Sequence, residues 1–435
     1  MISKLSKRDI RVPQGFAIKA QVFRDFLKEN KLTERIRSLI ESLQQDGGLS
    51  TKKLSTVGLE IREAIINGTM PKEADKDIEH AFAEVAKKCP PESTFAIRSS
   101  ATSEDQPTAS FAGQQDTLLN IQGLENVKHA VKRIFASLYT DRAISYRMDK
   151  KWRDADMAIS VCVQQMVDCS ISGVVFTIDT ETGFTNVLLI TSTYGLGELL
   201  VNGSINPDEF TVFKPTFSQG FPAIIRRHLG TKQNEMMLST HDDRCVVKKV
   251  DSDRADSFSL SDKQVLEISR YAIDIESHYK CPMDIEFAVN TNDNMIYILQ
   301  CRPETVKSQG LLSSTFRIKD PKTERRQMAE GRAVTNKIAI GRIKVVSGPE
   351  EMHKVEKGEI MVAKHTTPDY EPVMKKVAAV ITDSGGRTCH SAIICREMGI
   401  PAVIGCSNAT SVFKDGDVVT VDCSDGSIGK VKTLT

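Results

Sequence analysis

In "KLTERIRSLIESLQQD" the apolar residues Leu32, Ile36, Leu39, Ile40 and Leu43 recur every three or four positions, which predicts an amphipathic helix. The chain up to about Lys88 shares this charged, helix-like texture. From Ser93 it changes. "STFAIRSS" predicts a short strand, and "ATSEDQPTASFAGQQD" has little to bury and predicts a loop. Residues 126–148 return to helical spacing. "ISVCVQQMV" and "SGVVFTID" then predict consecutive strands, and "NVLLIT" predicts a buried strand ending in the turn "YGLGE". Ser261 and Gln264 have the spacing of a capping box, ahead of Val265, Ile268, Ala272 and Ile275 at helical intervals. "MDIEFAVNTNDNMIYILQCRPET" predicts a hairpin. Thr305 to Gly331 is charged and weakly periodic, as a linker is. Beyond it, "IAIGRIKVV", "GEIMVAK", "VAAVITD", "IPAVIG", "DVVTVDC" and "GKVKTL" predict short strands around one helix.

Length and composition narrow the class. The 435 residues suggest two or three domains, and 40% apolar with 26% charged residues is an ordinary globular balance. Lys and Arg number 58 and Asp and Glu 57, for a net charge of +1. That leaves no basic field to argue for nucleic acid or a membrane surface. No apolar run reaches the ~18 residues of a membrane span, and the N-terminus lacks the apolar stretch of a secretory signal. The ten cysteines form no Cys-x-x-Cys pair, which points to reduced, buried thiols and a cytoplasmic protein rather than to zinc.

Candidate chemistry gathers at Gly385–Gly405. A buried strand, Val377 to Ile381, leads into Gly385 and Gly386, whose freedom suits a sharp turn with backbone N–H groups open to an anion. A helix over Cys389–Met398 follows, with Gly399 and Pro401 as its stop. His390 is thus expected in the first helical turn, where the dipole and the unsatisfied N–H groups favour negative charge. A neutral imidazole there can act as a nucleophile toward phosphorus. The alternative is a histidine that merely caps or packs the turn.

The hairpin is the second candidate. With Thr291 to Met295 as its turn, Glu286 lies opposite Gln300 and Asp284 opposite Arg302. A carboxylate and an amide oxygen converging on one point suit a hard cation such as Mg2+, and Arg302 offers a fork for phosphate oxygens. A cross-strand salt bridge on a solvated face is the alternative.

"TDSGGRTCHSAIICREMGIPAVIG" resembles the phosphohistidine signature of the phosphoenolpyruvate-utilising enzymes. "FAIRSSATSEDQPTASFAGQQDT", "SGVVFTIDTETGF", "TSTYGLGELLVNGSINPDEF", "DIEFA" and "LQCRPET" resemble the same family, most closely its water-dependent synthase branch. The implied fold class is α/β (α+β multidomain). It comprises an ATP-grasp nucleotide-binding domain over 1–303, a linker over 304–331 and a phosphohistidine swivelling domain of β/β/α type over 332–435. The resemblance implies ATP and Mg2+ as cofactors. His390 would carry the phosphoryl group, Glu286 and Gln300 would hold Mg2+, and Arg302 and Arg98 would contact phosphate. Gln165 and Val167 in "QQMV" would hold adenine. Glu198 would help bind nucleotide or else stabilise its own loop. Without the family, Arg98 reads as an ordinary surface arginine.

The implied chemistry is transfer of the β,γ-diphosphoryl unit of ATP to His390 and loss of the γ-phosphate to water. The phosphohistidine then swings to pyruvate to make phosphoenolpyruvate, about a hinge in Thr305–Gly331. Thr388 corresponds to the position that a regulatory kinase/phosphorylase modifies in bacterial synthases. The chain stops before the family's pyruvate-binding βα-barrel, so conversion of pyruvate is expected to need a barrel from elsewhere. The family's first strand and its "GGK" lysine are not visible either, and Lys4 and Lys7 do not match that motif. The rival expectation is a catalytically impaired binding or regulatory fragment, and after it a phosphotransferase to another small-molecule acceptor. A homodimer is compatible with the chain.

Overall fold

The computed structural model describes residues 9–44, 51–101, 117–149, 157–239, 245–304 and 326–433. The chain divides into two compact units. One comprises Val12–Val167 with Leu238–Val246; the other takes in the segment ending at Arg11, Asp168–Met237 and Val247–Thr435. The expected loop over 102–116, most of the expected hinge (305–325), and Lys4 and Lys7 lie outside the described residues.

The first unit is an antiparallel sheet against helices. Its strands are β1 (Gly15–Ile18), β2 (Phe95–Ala101), β3 (Thr117–Ile121) and β4 (Ile159–Gln165), in the order β1-β4-β2-β3. Its helices are α1 (Ala20–Glu29), α2 (Leu32–Gln44), α3 (Thr51–Ile66), α4 (Lys72–Ala86), α5 (Leu124–Ser137) and α6 (Asp141–Asp149). The α2 stripe read from sequence is the buried one: Leu32, Ile36, Ile40 and Leu43 join Phe26, Ile61, Ile65, Ile134 and Phe135 in one core with Ile97, Val161 and Val163 of the sheet. Each such fully buried side chain contributes about 1.5–3 kcal/mol. The continuous helix expected over 126–148 is interrupted between α5 and α6. Two arginines satisfy the carbonyls freed at the break: Arg62 of α3 donates to the Tyr139 carbonyl at 2.7 Å, and Arg147 of α6 donates to that of Leu138.

In the second unit, a six-stranded antiparallel sheet is built from β5 (Cys169–Phe176), β6 (Val187–Tyr194), β7 (Asp208–Phe213) and β8 (Ile224–His228), then β11 (Met283–Asn290) and β12 (Ile296–Pro303). Its order is β12-β11-β5-β6-β7-β8. Strands β9 (Asn234–Leu238) and β10 (Cys245–Lys249) form a separate pair. Helices α7 (Glu198–Val201), α8 (Lys214–Ser218) and α9 (Ser252–Ala255) are short, and α10 (Asp262–Tyr279) is long. The capping box that opens α10 is present in both directions: the Gln264 N–H donates to Ser261 Oγ, and the Ser261 N–H to Gln264 Oε1 at 3.0 Å.

The same unit contains a closed β-barrel. Its strands are β13 (Gln327–Val334), β14 (Ile338–Val346), β15 (Ile360–Ala363), β16 (Ala379–Thr382), β17 (Ala402–Ile404), β18 (Val418–Asp422) and β19 (Ile428–Thr433), in the order β13-β17-β16-β15-β14-β18-β19. Strand β13 begins inside the stretch expected as linker, because Gln327–Gly331 ladder onto β19 despite their polar composition. Strands β14 to β17 run parallel, so each needs a crossover. Helices α11 (Glu371–Met374), α12 (His390–Met398) and α13 (Ala409–Val412) accompany the barrel, and α12 is the crossover from β16 to β17.

All ten cysteines are unpaired thiols, and burial pushes those of Cys169 and Cys423 up to about 12. Among the described residues no helix is long and apolar enough to cross a membrane.

Candidate active site

Strand β16 is buried throughout and ends at Thr382. The loop 383–389 after it occupies the carboxyl end of a parallel strand, where α/β folds commonly place their chemistry. Cys389 is the N-cap of α12, His390 is its first residue, and Gly399 closes it in the left-handed conformation at φ 65°. Helix α12 therefore starts one residue later than the Cys389 start read from sequence.

The loop is packed against the six-stranded sheet and the β6–β7 connection. Ser384 Oγ donates to the Gly203 carbonyl at 2.9 Å, and the Gly385 N–H donates to Asn206 Oδ1 at 2.9 Å. Thr388 Oγ1 lies 3.1 Å from Thr191 Oγ1 on β6. Thr388 and His390 are both buried, at 3% and 5% exposure. The glycines serve this contact. Gly385 has φ 121°, and a Cβ there would come within 2.8 Å of Ile404 Cγ2. A Cβ on Gly386 would meet Pro207 at 2.9 Å. The Gly385 N–H, expected to be open to an anion, is instead spent on Asn206. Gly385→Ala is accordingly expected to cost about 2 kcal/mol or more, from backbone strain and overlap together, read as a lowered urea midpoint at unchanged m-value. An unchanged midpoint would show that the turn can relax.

Further along the seam, Glu181 and Arg396 form a buried ion pair, with Arg396 Nε 2.7 Å from Glu181 Oε1. The second oxygen of Glu181 accepts the Thr335 N–H at 2.9 Å, and the Arg396 fork also donates to the Arg387 carbonyl. Arg332 Nε on β13 lies 3.3 Å from Glu209 Oε1 on β7. Sequence reading missed Glu181, Thr191, Asn206, Arg332 and Arg396. One signal was available: Arg396 falls among Ala392 and Cys395 on the core face of α12, where a charge demands a buried partner.

The hairpin has the register read from the sequence, with Asp284 opposite Arg302 and Glu286 opposite Gln300. Arg302 is engaged by Asp284: its Nε and a terminal nitrogen each lie 2.8 Å from Asp284 Oδ2. Glu286 and Gln300 are half-buried cross-strand partners. Among the described residues no three His, Cys, Asp or Glu side chains cluster as a metal cage. One carboxylate and one amide oxygen still fit Mg2+, which keeps most of its ligands as water and substrate phosphate.

Followed sideways across the ladders, Gln300 pairs with Glu286, Glu286 with Val174, Val174 with Thr191, Thr191 with Glu209, and Glu209 with His228. Directly paired residues share a face. The loop that carries Thr388 and His390 therefore rests on the sheet face that presents Glu286 and Gln300. The contact at Thr191 is two strand spacings, about 10 Å, from Glu286 along the row.

Glu198 lies on the surface at the start of α7, yet neighbouring protein desolvates its carboxyl and raises its pKa above the ordinary value. In the first unit, Arg98 is half-buried on β2 between Thr117 and Cys162. Gln165 ends β4, its N–H donating to the Gln14 carbonyl at 2.8 Å, and Val167 is buried two residues on.

Residues 1–322 match the family described as pyruvate phosphate dikinase, AMP/ATP-binding domain, which is well over half of the chain. The chain belongs to that family. Residues 355–426, which include the whole His390 loop, match the PEP-utilising enzyme, mobile domain. The fold class of this family member is therefore α/β and multidomain, a nucleotide-binding domain of ATP-grasp type followed by a swivelling phosphohistidine domain. Phosphoenolpyruvate synthase of Neisseria meningitidis serogroup B is 46% identical over 99% of this chain and 54% of its own length. The Pseudomonas aeruginosa and Escherichia coli K12 proteins of the same name are 46% and 44% identical over the same shares. The chain spans about half the length of the curated relatives it matches. Among solved structures, D-alanyl-alanine synthetase A of Vibrio cholerae aligns over 61% of this chain and 59% of its own at 12% identity and a TM-score of 0.22, too slight a likeness to bear on the fold.

Proposed function

We propose that this chain carries the ATP-consuming half of phosphoenolpyruvate synthesis. A ring nitrogen of His390 attacks the β-phosphorus of ATP, the bond to the oxygen shared with the α-phosphorus breaks, and AMP leaves with the electron pair. Water then attacks the γ-phosphorus, inorganic phosphate leaves, and one phosphoryl group stays on the histidine. The acceptor, pyruvate, would take that group at a barrel domain outside these 435 residues.

One observation supports this reading above the others: the His390 loop rests on the sheet face that bears Glu286 and Gln300, joined through the row at Thr191. Mg2+ held by the Glu286 carboxylate and the Gln300 amide oxygen would offset charge on the ATP phosphates. Asp284 holds the Arg302 fork on the hairpin, from which it would contact phosphate oxygens. Arg98 would bind phosphate as well, Gln165 and Val167 would hold the adenine at the end of β4, and Glu198 would line the nucleotide site. Residues 1–303 would act as the nucleotide domain and 332–435 as the carrier, swinging about the stretch between them.

Thr388 would be the target of a regulatory kinase/phosphorylase. Its hydroxyl is buried against Thr191, so modification requires the loop to leave the sheet first, and a phosphate there would prevent its return.

Glu286→Gln is expected to slow AMP formation about 100-fold and to raise the Mg2+ concentration needed for half-maximal rate. Incubation with ATP labelled at the β-phosphate and Mg2+, followed by separation of acid-labile protein label and free AMP, measures both. A normal rate and Mg2+ dependence in that variant would remove Glu286 from the cradle. No label in the unsubstituted chain would favour a binding fragment instead.

A further inference from the structure

At the other end of the same row, positive charge accumulates beyond its carboxylates. Glu209 on β7 is paired with His228 on the edge strand β8, and Arg226, two residues before, points to the same face. From the barrel, Arg332 reaches Glu209 at 3.3 Å. Arg332 is the ladder partner of Ile428, and a terminal nitrogen of Arg387 leans on the carbonyls of Gly426 and Ser427, at 3.5 and 3.3 Å, immediately before Ile428. Both guanidinium groups thus belong to the same part of the seam between barrel and sheet, near enough for the charge of Arg387 to act on Arg332.

Both are poorly satisfied. Arg387 is 7% exposed and its Nε has no hydrogen-bond partner; a terminal nitrogen of Arg332 is buried and likewise without one. Arg387 has no carboxylate partner among the described residues. Burial, with Arg387 and Arg226 as like-charged neighbours, lowers the pKa of Arg332 against the pull of Glu209. Burial and then Arg332 lower that of His228, with Glu209, Arg226 and Asp208 also acting on it. Arg332 and Arg387 share the single Glu209 carboxylate, which leaves one largely buried positive charge in excess, and exposed Arg226 adds a second at the rim. A desolvated charge in this condition calls for a counter-ion.

We propose that Arg332 and Arg387 bind a phosphate-class dianion at this seam. Its donors are the unpartnered nitrogens of the two arginines, with Arg226 and His228 at the rim. Free inorganic phosphate and a phosphate ester on the nearby Thr388 share this chemistry. Free phosphate is the better fit, because the Thr388 hydroxyl is already bonded to Thr191. The site draws on barrel and sheet together, so its occupant stabilises the packed arrangement of the two. It depends on that packing and not on any reaction of His390.

Equilibrium dialysis of the full chain against radiolabelled inorganic phosphate, without nucleotide, tests it. Saturable uptake of one phosphate per chain is expected. Arg387→Met and Arg332→Met should each weaken it about tenfold or more, while Arg98→Met and Arg302→Met should leave it unchanged. Glu209→Gln should tighten uptake by removing the competing carboxylate, a change of sign that misfolding cannot mimic. No saturable uptake, or uptake that survives both barrel substitutions and vanishes in Arg302→Met, overturns the assignment. So would absence of uptake together with a phosphorus NMR signal from phosphorylated Thr388 that moves on Arg387→Met, since the ester would then be the occupant.

Discussion

His390→Ala is expected to abolish acid-labile labelling from β-labelled ATP, with at least a ~10³-fold loss in the rate of AMP formation. The proposed nucleophile cannot be replaced by its neighbours on the loop. Thr388 is committed to Thr191 and Ser391 to Thr366, and both are buried. Nucleotide affinity should change little, since the proposed cradle residues Glu286, Gln300 and Arg302 lie on the β11–β12 hairpin and not on the His390 loop. The decisive pair of measurements is single-turnover labelling and nucleotide binding by calorimetry. Label that persists in the variant would remove His390 as the carrier and leave the buried-histidine alternative standing.

Glu181→Ala should produce the second large effect. The carboxylate accepts from Arg396 and from the Thr335 N–H, and both members of the ion pair are buried. Removing one partner strands the other's charge, which costs about 3–5 kcal/mol. Separation of the barrel from the sheet would return Arg396 to water, so the cost should appear as a shift of about two to four orders of magnitude toward the separated arrangement. Labelling of His390 should fall accordingly, the radius of gyration from solution scattering should rise, and nucleotide affinity should hold. The double variant Glu181→Ala with Arg396→Met should recover much of the loss, because an apolar side chain tolerates the burial that a lone guanidinium does not. Unchanged labelling in Glu181→Ala would show that this pair does not hold the seam.

The elements with strong local signals were legible in the chain. The α2 stripe, the Ser261–Gln264 capping box and the Gly399 stop of α12 each depend on residues within a few positions of one another. The hairpin register was legible too, because a short turn fixes which residues face each other. The break between α5 and α6 was not, since it is stabilised by Arg62, far away in sequence. The docking residues escaped for the same reason. Asn206, Glu181 and Thr191 look like ordinary loop and strand polar residues until their partners about two hundred positions later arrive.

By itself the sequence determined the local chemistry: an imidazole at the head of a glycine-preceded helix, a hairpin that sets Glu286 against Gln300, and an amphipathic first segment. These follow from backbone geometry and side-chain periodicity, which act over short stretches. Tertiary structure alone decided that the histidine loop lies on the sheet face that carries the hairpin pair, and that the glycines before it are needed for close packing against Pro207 and Ile404. The order of strands in a sheet, and the burial that makes Glu181–Arg396 costly to break, arise only when distant segments exclude water together.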